Sequence, residues 1–459
     1  MVLRHLLRKK FTLLGLIAVW VAFMAVISPW NAAAQSAAAA PVSFPVGPGY
    51  DDVIPHQIVR AANEKVYIFV AKAQYTNQIR AYWTANAGLP AANAFTGQAE
   101  VTTPGGEPIS VDAVYDGGTF VHVLVNTRAG ALLDYPFDTS SNTFKAPITI
   151  ASVPTVSGDY IGTSGISGLF DKNGRLQLAF WSTGDRITHR SFTYNSASNT
   201  LAQADAATQL DTGGKANHPA LAISPADGSI TVAWVSEATN PARILARTRG
   251  SSGTWGAEEV VSTSPVWTSR NFGLNIDQGP SLVISSDGAR HLTYIENYDS
   301  TNAYGRVHYV TKSGSAAWSD KALSLYSNDP ALAINSANEL YIIGHGADTA
   351  GLSKNIYTTK KNADGSWAAS QLFATPTGSN TFDSSPSVKW SVVGWNRPET
   401  IEFLFFAAPG GSGGDEEAGA AAPPVIAETT ADIPEASVAD AVMMLDLRDT
   451  GALLFKNAG

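Results

Sequence analysis

Residues 328–367, NDPALAINSANELYIIGHGADTAGLSKNIYTTKKNADGSW, contain the repeating unit that decides the fold of this chain. An apolar run, a polar turn, a second apolar run and a polar loop are followed by an amphipathic run and a turn that ends in Trp367. Short apolar runs separated by Gly, Asn and Asp are typical of β-strands joined by tight turns. The stretch therefore predicts a small antiparallel sheet.

The same order recurs along most of the chain. The first apolar run of each unit begins at His56, Ile109, Ser167, Pro219, Pro280, Pro330 and Pro386. The second begins at Val66, Phe120, Leu176, Ile230, Arg290, Leu340 and Ile401. Repeats of about 40 to 60 residues with four short strands each are typical of a β-propeller. We predict an all-β fold, a single β-propeller with seven four-stranded blades, and six blades are the alternative.

The two ends of the predicted propeller indicate how the ring closes. Residues 42–46, VSFPV, precede the first unit as an outer strand precedes each later unit, so we expect them to add an outer strand to the last blade. Residues 409–437 interrupt the last unit and are rich in Gly, Ala, Pro and acidic side chains. We interpret them as a flexible insertion in a propeller that spans residues 42–459. A linker to a short tail is the alternative.

The first 34 residues have the features of a signal peptide. Their first ten residues include four Arg and Lys residues, the apolar stretch 11–27 follows, and three alanines precede Gln35. We predict cleavage near Ala34, a spacer at residues 35–41 and a secreted or extracytoplasmic protein. An uncleaved membrane anchor is the alternative, and only then do we expect an association with a membrane.

Charge and cysteine content exclude several classes of partner and site. The first 34 residues contain four of the 30 Lys and Arg residues and none of the 39 Asp and Glu residues, so their removal changes the formal charge from −9 to −13. Without a basic stripe we expect no nucleic-acid partner. The absence of cysteine excludes disulfides, thiolate metal sites and a cysteine nucleophile. We expect a monomer without a cofactor or metal, and a structural calcium ion between acidic loops is the alternative.

The turns that end in tryptophan resemble the Asp-box (BNR) repeats of sialidase-like β-propellers, whose motif is Ser-x-Asp-x-Gly-x-x-Trp. The matching turns here are residues 251–255, 313–318 and 362–367, and only the last contains an aspartate, Asp364. The resemblance covers most of the mature chain and implies a propeller with tryptophans packed between blades. The family's Arg-Ile-Pro motif has its nearest match in residues 58–61, IVRA, so no catalytic residue is transferred. A second resemblance, to propeller polysaccharide lyases, implies chemistry by His, Tyr and Arg.

Candidate ligand-binding residues come from the positions that face the propeller axis. In this fold the loops before the first strand and after the second strand of each blade meet there. We predict ligand-binding residues among His56, His218, Asp329, Glu296 and His345. Ordinary solvated loop residues are the alternative interpretation.

Two catalytic hypotheses use the same face. Glu237 and Glu296 could supply the paired carboxylates that glycosidic cleavage requires. Tyr298 with His345, or with His56 or His218, would suit proton abstraction and elimination. We predict an exported propeller that recognises a glycan or an extracellular protein. The alternatives are a glycan-active enzyme, either a sialidase-like glycoside hydrolase or a polysaccharide lyase, and a cell-envelope scaffold.

Overall fold

The computed structural model describes residues 42–45, 56–71, 77–87, 95–155, 165–266, 279–296, 305–327, 330–347, 355–374, 381–382, 402–408 and 441–446. These residues form 29 β-strands and no helix. Within this part of the chain, no helix has the length and apolar character needed to cross a membrane.

Residues 56–209 form three separate antiparallel sheets in chain order. The N-terminal strand is β1 (Val42–Pro45). The first sheet contains β2 (His56–Arg60), β3 (Val66–Ala71), β4 (Gln78–Thr84) and β5 (Phe95–Thr102). The second contains β6 (Pro108–Tyr115), β7 (Phe120–Thr127), β8 (Ala131–Asp138), the short β9 (Thr143–Phe144) and β10 (Ile148–Ser152). The third contains β11 (Ile166–Phe170), β12 (Arg175–Ser182), β13 (Arg186–Asn195) and β14 (Thr200–Gln209).

The remaining strands continue the same arrangement. The fourth sheet contains β15 (Ala216–Ile223), β16 (Ile230–Ser236), β17 (Arg243–Arg249) and β18 (Glu259–Val260). The fifth unit of four strands contains β19 (Ser281–Ile284), β20 (Arg290–Ile295), β21 (Gly305–Lys312) and β22 (Ser319–Ser327). The sixth unit contains β23 (Ala331–Ile334), β24 (Leu340–Ala347), β25 (Asn355–Lys360) and β26 (Gln371–Ala374). Pairing of β22 with β24 joins the fifth and sixth units into one sheet. The last sheet contains β27 (Thr381–Phe382), β28 (Glu402–Ala408) and β29 (Ala441–Asp446), with β1 at its edge.

The packing of the first strands shows how the sheets are arranged. β2 packs against β6, β6 against β11, β11 against β15, β15 against β19, and β19 against β23. Successive four-stranded sheets that meet through their first strands surround a common axis, which is the geometry of a β-propeller. The predicted fold class is therefore confirmed.

The two ends of the described chain meet in one sheet. β1 pairs antiparallel with β29, with Val42 opposite Met444 and Pro45 opposite Ala441. This is the pairing that the closure hypothesis requires of the N-terminal strand. Residues 1–41 and 409–440 lie outside the described residues, so the signal peptide, the spacer and the acidic insertion stay predictions. The number of blades and the closure of the complete ring also stay predictions.

The hydrophobic core lies between neighbouring sheets. One cluster packs Val114 and Leu124 of the second sheet against Leu176 and Phe180 of the third. Because both faces of an inner strand are covered, β6 and β7 are buried along their whole length and read as nearly continuous apolar runs. The apolar runs of the sequence are therefore the inner strands of the propeller.

Hydroxyl side chains join the first strands of neighbouring units. The Leu221 N–H donates to Ser167 Oγ at 2.9 Å, and the Leu332 N–H donates to Ser281 Oγ at 2.9 Å. A first strand has one edge with no neighbouring strand, so its N–H groups need other partners. Ser167 and Ser281 occupy the same position in β11 and β19 and supply such partners.

The tryptophans of the Asp-box-like turns contact the preceding sheet. Trp255 lies edge-on to His189 with ring centroids 5.0 Å apart, and Trp367 lies edge-on to Tyr309 at 5.0 Å. Trp318 Nε1 donates to Glu259 Oε2 at 2.7 Å. These side chains fill the space between sheets, as the sequence predicted.

Candidate functional site

Three of the predicted site residues have no described side chain. Tyr298 and Asp329 lie outside the described residues. His345 lies in β24 opposite Ile356 of β25, and only its backbone is described. Their contribution to a ligand pocket stays a prediction.

His56 and His218 are buried in the inner part of the propeller. His218 has a left-handed backbone with φ 49° and is 5% exposed, and His56 is 7% exposed. A Cβ built on Gly165 would lie 2.9 Å from His218 Cα, and one built on Gly279 would lie 3.0 Å from His218 Cβ. Three neighbouring units therefore meet at His218, which is packed between glycines. The ligand-binding roles of both histidines stay predictions.

Glu237 directly follows β16 and is tied to the first strand of its own sheet. Its Oε1 accepts a hydrogen bond from Asn217 Nδ2 at 3.0 Å, and its N–H donates to the Lys215 carbonyl oxygen at 2.9 Å. Asn217 is buried, so it orients the Glu237 carboxylate from the protein side.

Glu296 directly follows β20, and its side chain contacts the protein while remaining partly exposed to solvent. Its side chain is 34% exposed, and Oε2 lies 3.3 Å from His308 Nε2 of β21. Its N–H donates to the Arg306 carbonyl oxygen at 2.9 Å. A Cβ built on Gly305 would overlap the Ile295 side chain and lie 2.8 Å from the Glu296 carbonyl oxygen. The small residue at position 305 therefore allows the two strands to approach at this point.

The two candidate glutamates are not equivalent in the repeat. Ser236 lies opposite Arg243, and Glu296 pairs through its N–H with Arg306, so the position of Glu296 corresponds to Ser236 rather than to Glu237. Neighbouring residues of a strand point to opposite faces. Glu237 is hydrogen-bonded to Asn217 of the first strand of its sheet, whereas Glu296 contacts His308 of the third strand of its unit. The hypothesis of paired catalytic carboxylates stays a prediction.

His308 connects Glu296 to a buried network. His308 Nδ1 lies 2.7 Å from Asp320 Oδ1. Asp320 Oδ2 accepts from the Tyr294 hydroxyl at 2.5 Å and from the N–H and hydroxyl of Thr263 at 2.7 Å each. Thr263 follows β18, so the network crosses the boundary between the fourth sheet and the β19–β22 unit.

The network fixes the protonation of two of its members. Burial by itself would raise the pKa of Asp320, but hydrogen bonds from His308, Tyr294 and Thr263 outweigh it and lower this pKa to about 2. Burial and the nearby Asp320 carboxylate raise the pKa of Tyr294. Asp320 is therefore an ionised acceptor and Tyr294 a neutral donor.

A second histidine–aspartate pair shows what is specific to this site. In the second sheet, His122 Nδ1 lies 2.7 Å from Asp134 Oδ2, and both side chains are 0% exposed. His122 Nε2 has no hydrogen-bond partner among the described residues. The His308–Asp320 pair differs because Glu296 links it to the surface.

The sequence named Glu296 as a candidate but gave no reason to name Tyr294, His308 or Asp320. His308 belongs to an alternating strand, and Asp320 follows a turn, so neither position is unusual in one dimension. A usable signal exists in the predicted hairpin itself, because His308 lies opposite Ala322 of β22 and Asp320 is two residues from Ala322 on the same face, so the two side chains are diagonal neighbours. Pairing the strands residue by residue would have brought them together.

Arginines occupy equivalent positions at the start of three successive third strands. Arg186 Nη1 donates to Asp211 Oδ2 at 2.9 Å. Arg243 Nη1 donates to the Thr263 carbonyl oxygen at 2.8 Å, and Arg306 Nε donates to the Leu323 carbonyl oxygen at 2.9 Å. Each guanidinium thus binds an oxygen of its own sheet or unit, or of the loop after it.

In the described part of the chain, no group of three or more His, Asp or Glu side chains is arranged to hold a metal ion. The structural calcium ion stays a prediction.

No protein-family model and no curated protein matches the sequence. Solved structures that match include the SapL1 lectin in complex with α-methyl fucoside, at 14% identity over 72% of this chain and 98% of that chain, with a TM-score of 0.42. The α-L-arabinofuranosidase Arb93A from Fusarium graminearum matches at 10% identity over 90% and 98%, with a TM-score of 0.43. The α-L-arabinanase from Penicillium chrysogenum matches at 10% identity over 90% and 99%, with a TM-score of 0.43. At these identities no function passes from those proteins to this chain, and the β-propeller assignment follows from the sheet order.

Proposed function

We propose that this protein is an exported β-propeller that binds a glycan where β20 ends, with Glu296 as the principal acceptor of hydrogen bonds from sugar hydroxyls. The observation that carries this proposal is the state of the Glu296 carboxylate, which is 34% exposed and contacts the buried His308 at 3.3 Å. A carboxylate that is oriented before the ligand arrives loses less conformational freedom on binding. It therefore suits the recognition of a small polar ligand.

The described surface favours a glycan over a protein partner. Among the described residues, Val260 is the single large hydrophobic side chain that is exposed. The centre of a stable protein–protein interface is usually apolar and rich in aromatic residues. A ligand rich in hydroxyl groups needs polar acceptors instead, and Glu296 supplies them. The sequence-based alternative of a cell-envelope scaffold has no comparable support from a described contact.

A glycan-active enzyme is the second candidate, and the contact between Glu296 and His308 favours it. A carboxylate beside an imidazole can act as a general acid or base in glycosidic cleavage or elimination. The sialidase-like resemblance points to a glycoside hydrolase, and the resemblance to lyases points to elimination. In either case Glu296 would be the catalytic residue to test first.

A glycan-array screen, run beside an assay for released sugar, tests both candidates. Glu296→Gln is the test variant and Glu339→Gln is the matched control, because the Glu339 side chain is 36% exposed and lies in the turn before β24. Binding without release that Glu296→Gln abolishes and Glu339→Gln preserves is the expected result. Release of sugar that depends on Glu296 would establish the enzyme instead. Absence of binding to every glycan would reject the proposal.

Export and a monomeric state are parts of the same proposal. The basic and apolar N-terminal segment supports export, and the shortage of exposed hydrophobic side chains among the described residues supports a monomer. N-terminal sequencing of the protein recovered outside the cytoplasm should find Gln35 at or near its first position. Sedimentation should give the mass of one chain.

A further inference from the structure

The proton on one side of the His308 ring follows from its partner. Asp320 stays ionised at neutral pH, because its hydrogen bonds lower its pKa despite burial. An ionised carboxylate can only accept hydrogen bonds. His308 Nδ1, which lies 2.7 Å from Asp320 Oδ1, therefore carries a proton and donates it.

The opposite ring nitrogen faces a second carboxylate. His308 Nε2 lies 3.3 Å from Glu296 Oε2. A neutral imidazole with its proton on Nδ1 has only a lone pair on Nε2, and a lone pair repels a carboxylate oxygen. Glu296 is partly exposed, so water solvates its charged form. The contact is attractive when His308 donates from both nitrogens.

Other buried histidines have different partners. His291 Nδ1 lies 2.7 Å from the Tyr309 hydroxyl, and its Nε2 lies 3.2 Å from the Ser285 hydroxyl. Hydroxyl groups can donate or accept, so a neutral His291 satisfies both contacts. His308 has a carboxylate on each side, and a neutral ring cannot donate to both.

We propose that His308 is held as an imidazolium between Asp320 and Glu296 at neutral pH, and that it is the positioning residue that keeps the Glu296 carboxylate charged and oriented for its ligand. The part that concerns the ligand rests on the proposed function, whereas the protonation state does not.

The groups around the ring come from every element packed against it. β20 and the residue after it contribute Tyr294 and Glu296, and β22 contributes Asp320. Arg306 of β21 donates through Nε to the Leu323 carbonyl oxygen. The segment after β18 contributes Thr263 and Ser264, both neutral, and Arg243 donates to the Thr263 carbonyl oxygen. Two carboxylates thus contact the ring directly, while both arginines are bound to carbonyl oxygens.

Nitrogen NMR of the full chain labelled with ¹⁵N-histidine tests the protonation state without a ligand. At pH 7 we expect His308 to show two protonated ring nitrogens in the wild type. In Glu296→Gln we expect Nε2 to lose its proton, because the amide of glutamine can donate to the lone pair. His291 should keep its signals in both proteins. The His308 signal is assigned with His308→Asn or, if that variant does not fold, as the signal that Glu296→Gln shifts and Glu339→Gln does not. An unprotonated Nε2 in the wild type, or a doubly protonated ring in Glu296→Gln, would overturn the proposal.

Substitution of His308 tests the positioning role, with the strongest array glycan as the probe. His308→Asn should bind more weakly than the wild type, whereas the same substitution in the Glu296→Gln background should leave any residual binding unchanged. Equal affinity of His308→Asn and the wild type would overturn the positioning role. If the NMR result is as expected but no glycan binds, the proposed function fails and the protonation state stands. If glycan binds and Nε2 is unprotonated, the inference fails and the proposed function stands.

Discussion

Glu296 and Asp320 lie on opposite sides of one imidazole ring. His308 Nε2 is 3.3 Å from Glu296 Oε2, and His308 Nδ1 is 2.7 Å from Asp320 Oδ1. Asp320 is buried and bound to the preceding sheet through Thr263, while Glu296 is partly exposed. The ring therefore connects the rigid boundary between two sheets to a surface carboxylate.

Asp320→Asn should lower the free energy of unfolding and change how this free energy depends on pH. The pKa of Asp320 is about 2 in the folded protein, below its ordinary value of 3.8, so its contribution is complete above about pH 4 and is lost as the pH falls towards 2. We expect the substitution to lower the free energy of unfolding at pH 7 by about 2 to 4 kcal/mol. Denaturant unfolding at pH 7, 4, 3 and 2 measures this. A variant that loses as much stability as the wild type between pH 4 and 2 would contradict it.

His189 should make the protein sensitive to mild acid. Burial and repulsion by Arg249 outweigh attraction by Asp205 and lower the pKa of His189 from 6.5 to about 4. As the pH falls, the unfolded chain binds this proton before the folded chain does. The contribution of neutral His189 to stability is therefore complete above about pH 6.5 and is lost as the pH drops to 4. The loss from this residue should be about 3 kcal/mol. Melting curves of the wild type and His189→Gln across this pH range check it. An equal dependence of the melting temperature on pH in the two proteins would rule out His189 as the cause.

Ser167→Ala tests the hydroxyl link between neighbouring first strands. The substitution removes the acceptor of the Leu221 N–H and leaves that group without its side-chain partner. An unsatisfied buried N–H costs about 1 to 3 kcal/mol. Chemical denaturation should show this loss, whereas Ser196→Ala at an exposed turn should change stability by less than about 0.5 kcal/mol. Equal stability of the two variants would show that the link contributes nothing.

Neutral or amino-bearing glycans should bind better than acidic ones. Glu296 is negative, the whole chain has a formal charge of −9, and the guanidinium groups of Arg243 and Arg306 are bound to carbonyl oxygens. A negative group about 4 Å from Glu296 costs about 1 kcal/mol in water, so an acidic glycan should bind about fivefold more weakly than its neutral analogue. The difference should shrink in 1 M salt. Titration of matched neutral and uronic-acid oligosaccharides measures it, and a preference for the acidic ligand would contradict the assignment.

The sequence predicted the repeat because its signal is local. The apolar runs at Leu340 and Ile230 become β24 and β16, and tight turns separate them from their partners. The all-β propeller follows from such runs at regular spacing. The pairing of β1 with β29 was also within reach, because a ring has a place for a strand that precedes the first unit.

The site was harder to predict because it depends on side chains from different strands. Glu296 could be named as a polar residue at the end of a strand. Its link to His308 and Asp320 depends on which face of β21 and β22 each residue occupies, and the link to Thr263 depends on contact between sheets. The burial of His218 was equally hard to predict, because it depends on glycines of the two neighbouring units that pack against it.

The most direct test of the account is calorimetric titration of the strongest glycan from the array into wild type, Glu296→Gln and Glu339→Gln. Hydrogen bonds to a charged acceptor contribute about 1.5 to 3 kcal/mol, so Glu296→Gln should weaken binding at least about tenfold. Glu339→Gln should bind as the wild type does. Wild-type affinity in Glu296→Gln would contradict the claim that Glu296 holds the ligand.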